Sequence, residues 1–374
     1  MDLAEDLGVS KSTISKHIND LLAEGICCEL GEADQPGQGR KRTILSFCAD
    51  FRYLLLLDFG QVQPRLALTD LYGVPLAQVP LSFDENTSQD RLKAQLVAGG
   101  EKILGNHQLV PEDLALLAVA APGIVDRLGQ SFYTDGYYAQ WDLPGLCHEL
   151  AGHYGLETFF YNDVNAAAWG EYIFKLDGQK NLVYVAGGSG LGLGLILNGE
   201  LYLGSSGSAG EISNLLLAGL PALFKNDTQA ISCVDADYIP FASRASIRVL
   251  LKELNRQKLE GKGDLSGHDS PLTYQDFYNL WKMGDSTAHL LSQSMGESLG
   301  IFLYNLSLLL DIDHIVLDPS YQPFAQYIDL TLKKLAAENE RTQLKITIST
   351  LGDQASLSGL ADLAMKTLLA RWAS

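Results

Sequence analysis

The residue types able to do chemistry in this 374-residue chain cluster in four short runs. Tyr161-Asn162-Asp163-Val164-Asn165 joins an apolar stretch to an alanine-rich one. Its amides and carboxylate offer mixed donors and acceptors suited to hydroxyl groups. Ala120-Ala121-Pro122-Gly123 closes a second apolar stretch. The densest glycine run, AGGSGLGLGLILNGELYLGSSGSAGE from Ala186 to Glu211, alternates Gly188, Gly190, Gly192 and Gly194 with other residues. Glycines so placed let backbone N–H groups come close to a bound anion. Gly210-Glu211-Ile212-Ser213-Asn214 follows with a carboxylate and an amide. Each run also has a plainer use: Asp163 suits a helix N-cap, Glu211 a first-turn carboxylate, and the glycine run an ordinary hairpin.

The elements that must hold these runs can be read from periodicity. Asn198-Gly199 between alternating apolar residues predicts a type I′ turn, because both central residues need positive φ. Strands are expected at 191–197 and 200–204. Upstream, YLLLLDFG, VQPRLALTD and VPLAQVPLSF read as three successive strands. A helix (88–105), a buried strand (114–120), a helix (144–154), a strand (157–161) and a helix (163–175) follow. The same order recurs: strands near 181–186, 191–197 and 200–204, a long helix at 286–310, strand 314–317, helix 322–337, strand 344–349 and helix 354–372. Three strands and then alternating helices and strands, twice over, predict two α/β lobes facing a cleft, with ligands at strand ends and helix N-termini. The lobes are placed at 51–175 and 176–353, with the helix from 354 to 374 packing back on the first. Residues 215–275 show no regular pattern.

The first fifty residues read differently. A short helix carrying Leu3, Ala4 and Leu7 ends at Gly8, and Ser10 suits the N-cap of a second. Ile14, Ile18, Leu21 and Leu22 mark its apolar face and Gly25 its stop. Two helices about a tight turn are the sequence form of a helix-turn-helix. Lys11, Ser12, Thr13, Lys16 and His17 then lie near the start of a recognition helix. Ile26–Leu30 and Thr43–Phe47 predict a hairpin wing tipped by Arg40, Lys41 and Arg42. The alternative is a helical hairpin used for dimerisation. Residues 1–50 hold five Lys and Arg against nine Asp and Glu, and the chain starts at what should be the second helix of a three-helix unit. The winged helix-turn-helix is therefore expected to be partial.

Composition narrows the classes. A net charge of −18 argues against general affinity for nucleic acid or anionic membrane, so any DNA contact must be a local patch. No apolar run is long enough to span a membrane, and Asp2, Glu5 and Asp6 sit where a signal peptide needs basic residues. Cys27, Cys28, Cys48, Cys147 and Cys233 form no C-x-x-C pair and read as free thiols of a cytoplasmic protein.

In this order and spacing, DFG, VAAPGIVD, FYNDVNAAAWGE, GSGLGLGLILNGELYLGSSGSAGEI and SLSGLADLA together resemble the ROK family of sugar kinases and carbohydrate-responsive repressors. Within it, the xylose- and N-acetylglucosamine-type repressors are the nearest in kind. The resemblance covers nearly the whole chain. It implies the two-lobed actin-like ATPase (ribonuclease H-like) fold and a homodimer or homotetramer.

Kinases of this family carry a D-x-G-G-T-K phosphate loop. Here Asp58-Phe59-Gly60 is followed by Gln61 and Val62, which remove the second glycine and the hydroxyl. The adenosine-side glycine pair is replaced by Asp318-Pro319-Ser320. Asp163 matches the family's general base, which without a positioned phosphoryl donor can still hold a sugar. Asn214 stands where a zinc-binding histidine is usual, and the downstream segment holds only Cys233, so no metal is expected. Nor is a cofactor. The resemblance thus implies a carbohydrate-responsive transcriptional regulator, a repressor without kinase activity. Its expected sugar site is Gly123, Asn162, Asp163, Glu211 and Asn214, and its expected partners are operator DNA and a sugar effector. A ROK sugar kinase, and a sugar sensor that no longer binds DNA, remain the alternatives.

Overall fold

The computed structural model describes residues 4, 7–32, 43–60, 64–134, 136–175, 179–187, 190–218, 231–233, 236–260, 270–338 and 344–373. Helix Lys11–Ala23 opens it, capped by Ser10, whose Oγ accepts from the Thr13 N–H at 3.1 Å. Of the preceding segment, Ala4 is helical, and Gly8 turns the chain at φ 64°. Strands β1 (Cys27–Glu32) and β2 (Thr43–Phe47) pair antiparallel where the sequence predicts a wing. The wing tip, with Arg40, Lys41 and Arg42, lies outside the described residues. Contacts tie this segment to the first lobe: the Leu71 N–H donates to the Ala49 carbonyl at 2.9 Å, and Phe47 meets Tyr72 edge-on at 5.6 Å.

Next come β3 (Tyr53–Asp58), β4 (Arg65–Asp70), β5 (Pro75–Pro80), β6 (Leu114–Ala121), the short hairpin β7 (Ile124–Val125) and β8 (Phe132–Tyr133), and β9 (Thr158–Asn162). They build a sheet ordered β5-β4-β3-β6-β9, antiparallel over the first three strands and parallel thereafter. Its central strand is an unbroken run of leucine because both faces are covered. Leu55 and Leu57 pack with Leu92, Leu96 and Leu146 of helices Gln89–His107 and Leu143–Tyr154. Leu54 and Leu56 face Leu357 and Leu360 of the C-terminal helix Gln354–Trp372.

The second sheet repeats the topology. Strands β10 (Leu182–Gly187), β11 (Leu191–Leu197), β12 (Glu200–Leu201), β16 (His314–Leu317) and β17 (Lys345–Ile348) are ordered β12-β11-β10-β16-β17. Asn198 and Gly199 turn the hairpin at φ 57° and 85°, as a type I′ turn requires. Strand β12 stops at Leu201, short of the expected 204, because the chain turns at Gly204 to carry Glu211 back to the cleft. The second core sets Val183, Val185, Leu193 and Leu195 against helix Ser286–Leu310 and helix Gln322–Glu338. The described residues of 215–275 hold more regular structure than the sequence suggests. It contains a small antiparallel sheet, β13 (Leu216–Ala218), β14 (Ile231–Cys233) and β15 (Ala236–Pro240), and then helix Ile247–Leu259.

Helix Asp163–Lys175, read from sequence as part of the first lobe, buries Val164, Ala168 and Trp169 against the second sheet. It also crosses the C-terminal helix tightly. A side chain at Gly170 would strike the Ala355 carbonyl, and one at Gly359 the Ala166 carbonyl. These two helices form the floor between the sheets.

Candidate functional site

Strand β9 delivers Asn162 and Asp163 to the mouth of that floor. Asn162 Nδ2 donates to the Gly123 carbonyl at 2.8 Å, and its Oδ1 accepts from the Asn165 N–H at 2.9 Å. Asn162 therefore performs the three-residue capping bond, and Asp163 is not merely the cap. The Asp163 carboxylate accepts from the adjacent Val164 N–H at 2.9 Å and is 8% exposed. Burial, the Asp58 carboxylate and, more weakly, Glu211 push its pKa up to about 7, against the pull of the Val164 N–H.

Asp163 lies between two cavities. The first, about 260 Å³, is lined by Gly123, Asn162, Asp163, Glu211 and Asn214, so all five expected sugar-site residues meet in one place. Gly123 holds φ 97°, and a side chain there would run into the Tyr133 carbonyl. Glu211 caps a short 3-10 turn, Ile212–Asn214, that ends on Asn214, with both side chains exposed. Ser213 Oγ pins the turn by donating to the Leu191 carbonyl at 2.8 Å. Sequence reading missed Thr134, Tyr137, Tyr138, Ser246 and Arg248, which line the same cavity. Tyr138 is positioned by donating to the Phe59 carbonyl at 2.9 Å. The adjacent tyrosines were the one available signal; Arg248 sits in the stretch that had no legible pattern.

The second cavity, about 270 Å³, opens on the other side of Asp163 and includes Asp58, Gly60, Arg65, Tyr184, Asp318, Asp353 and Ser356. Asp58, 2% exposed, accepts from the Gly60 N–H at 2.8 Å, Arg65 Nη2 at 3.1 Å and Ser356 Oγ at 3.2 Å. Burial raises its pKa, and the Arg65 guanidinium opposes the rise. Arg65 also donates to the Asp353 carbonyl, so it spans the cavity from β4 to the start of the C-terminal helix. Gln61 and Val62 lie outside the described residues. Asp318 folds back to accept from the Ser320 N–H at 2.9 Å, and Ser320 Oγ donates to the Gly187 carbonyl at 3.0 Å.

The glycine run has a packing role in this frame. A side chain at Gly187 would strike the Tyr321 ring, and one at Gly194 the Ala168 methyl group. Gly188 and Ser189 lie outside the described residues. Asn214 offers a neutral amide, which is not a usual zinc ligand, and no group of three or more His, Cys, Asp or Glu placed to hold a metal occurs among the described residues. Lys11, Ser12, Thr13, Lys16 and His17 are all exposed on helix Lys11–Ala23. Ser12 and Thr13 hydroxyls are each 2.8 Å from Ser10 Oγ.

The ROK family profile matches residues 55–367. The xylose repressor of Bacillus subtilis is 25% identical over 372 residues, covering 98% of this chain and 91% of that protein. The DNA-binding transcriptional dual regulator NagC of Escherichia coli is 22% identical over 302 residues, covering 80% of this chain and 71% of that protein. A ROK family transcriptional regulator homologous to the E. coli MLC protein superposes with a TM-score of 0.72 at 21% identity, covering 99% of this chain and 93% of that one. A ROK family glucokinase from Streptomyces griseus, bound to glucose and AMPPNP, superposes with a TM-score of 0.65 at 21% identity, covering 83% and 98%. The two-sheet, actin-like sugar-kinase-type fold is common to all of these structures, and with the profile matched from 55 to 367 the chain belongs to the ROK family.

Proposed function

We propose that this chain is a sugar-responsive transcriptional regulator, a repressor, that holds a sugar or sugar derivative between its lobes without phosphorylating it. The carrying observation is the contrast across Asp163: the sugar side is assembled, whereas on the phosphate side Asp58 is engaged by Arg65. Asp58, Asp163, Asp318 and Asp353 line that second cavity against one arginine, a field opposed to a polyphosphate. A cavity of about 260 Å³ is at the small end of ligand pockets, a scale suited to a monosaccharide. Asp163, Glu211 and Asn214 supply hydroxyl contacts, while Asn162 and Gly123 shape the wall.

The readout is a population shift. Sugar favours one closure of the lobes, which alters the spacing of two DNA heads in a homodimer or homotetramer. Lys11, Lys16, Arg40, Lys41 and Arg42 contact operator phosphates, with Ser12, Thr13 and His17 nearest the bases. The two named relatives, a repressor and a dual transcriptional regulator, support this reading. One observation favours a sensor that no longer binds DNA: helix Lys11–Ala23 buries none of its residues, and Leu21 is 37% exposed.

A thermal-shift screen including D-xylose and N-acetyl-D-glucosamine, run beside an ADP-release assay, tests the sugar reading. A saturable rise in Tm is expected with at least one sugar, abolished by Asp163→Asn with Glu211→Gln, and without sugar-dependent ADP release. Turnover at the 1–100 s⁻¹ typical of kinases, roughly, would refute it. Operator affinity that is unchanged by Lys16→Ala with Arg40→Ala, or that lacks a steep salt dependence, would refute the DNA surface.

A further inference from the structure

The cavity of about 260 Å³ that gathers Gly123, Asn162, Asp163, Glu211 and Asn214 holds more charge than a neutral sugar uses. Asp163 and Glu211 supply its acids. Arg248 is the one cationic side chain that lines it among the described residues. This arginine is the second residue of helix Ile247–Leu259, whose start is fixed by Ser246 Oγ accepting from the Val249 N–H at 3.3 Å. Ile247 and Leu250, on either side of it, are buried in the second core. Arg248 is therefore presented to the cavity by a helix anchored in the second lobe, whereas Gly123 and Asn162 come from the first.

The other arginines around it are occupied. Arg65 is paired with Asp58, and Arg256, further along the same helix, is paired with Glu253 and Glu260. Arg248 has neither a hydrogen bond nor an ion pair with any described residue, Glu211 included. A guanidinium is a planar fork of donors whose geometry matches a carboxylate or a phosphate bidentately. A neutral sugar leaves that fork without a counter-charge. One negative charge on the ligand satisfies it. A second charge, as on a phosphate monoester, finds no second cation in this wall and faces the carboxyl groups of Asp163 and Glu211 instead.

We propose that the ligand of this cavity is a sugar acid, a monosaccharide whose single carboxylate pairs with the Arg248 guanidinium while its hydroxyl groups meet Asp163 and Asn214. This rests on the reading of the cavity as a sugar site and narrows it to one chemical class. Held by Arg248 from the second lobe and by the wall of Asn162 and Gly123 from the first, such a ligand spans both lobes.

Isothermal titration calorimetry on the full chain tests this, with D-glucuronate and D-galacturonate set against D-glucose, D-galactose, D-xylose, N-acetyl-D-glucosamine and D-glucose 6-phosphate. At least one uronate is expected to bind about tenfold or more tighter than the hexose of the same configuration. Arg248→Ala should bring that ratio close to one, and Arg248→Lys, which keeps the charge but not the fork, should restore part of it. Arg248 is exposed and bonds to no described residue, so both variants should keep the ligand-free Tm of the parent. Neutral sugars that bind as tightly as the uronates, or more tightly, overturn the inference and leave the sugar reading standing. A uronate preference that survives Arg248→Ala overturns it too, as does tighter binding of D-glucose 6-phosphate than of either uronate. Absence of saturable heat with every ligand in the panel sinks the sugar reading and this inference with it.

Discussion

Asp163 makes the stability of the ligand-free protein depend on pH in a way that isolates one carboxyl group. Its folded pKa is about 7 against an ordinary value of 3.8. The folded state therefore holds the proton more tightly than the unfolded state does. The contribution is fully present below pH 3.8, declines as pH rises, and is lost once pH passes about 7. At 1.36 kcal/mol per unit, the difference amounts to about 4 kcal/mol as a ceiling. Asp163→Asn removes the charge but keeps an oxygen for the Val164 N–H. Urea unfolding at half-unit steps from pH 4 to 8.5 should show the variant gaining on the parent through that window. The gain should level off above pH 7 to 8, at several kcal/mol. Glu211→Gln should narrow the window slightly from above, because Glu211 is the weaker of the two carboxylates that raise this pKa. Parallel profiles for parent and Asp163→Asn would refute the assignment of a buried, proton-holding carboxyl at the junction of the two cavities.

Arg65→Ala leaves Asp58 buried without its cation and should destabilise by about 3–5 kcal/mol in urea titrations; a loss under 1 kcal/mol, roughly, would contradict the role given to the pair. Gly194→Ala forces a methyl group into Ala168 and should cost about 1–3 kcal/mol, while Gly190→Ala, which meets only open space, should leave the melting curve in place. Ser10→Ala removes the cap of the first described helix, at about 1 kcal/mol; hydrogen exchange should quicken at residues 11–14 while the two lobes are unaffected.

The strands and helices were legible because their signals are local. The leucine run of β3, the Asn198-Gly199 turn and the Ser10 cap each declare themselves within a few residues. Helix Asp163–Lys175 did not declare its allegiance, because its alanines and glycine suit two partners at once and tertiary packing decides between them. Arg65 was overlooked although Asp58 and Arg65 lie directly opposite in the β3–β4 register. The signal was an acid and a base at the loop end of a predicted hairpin, and it needed the register to be read. Tyr138 and Arg248 reach the cleft from a 3-10 turn and from a helix N-terminus whose placement rests on long-range contacts alone. The five residues expected at the sugar site converge because they sit at strand ends and turns, where topology limits their destinations.

One contact at the back of the molecule bears on how the lobes can turn. Glu171, 3% exposed on helix Asp163–Lys175, accepts from Ser349 Oγ just after β17. Ser349 in turn accepts from the Gly352 N–H at 3.0 Å. These are the two places where the chain passes between the sheets, and the bond clamps them together like the pin of a pair of tongs. The N-terminal segment is joined to the turn after β4 through Ala49 and Phe47, and Phe51 touches Trp372 of the C-terminal helix with ring centroids 6.3 Å apart. If the lobes close on a ligand as proposed above, they would turn about that bond, and the displacement would grow with distance from it toward residues 11–47.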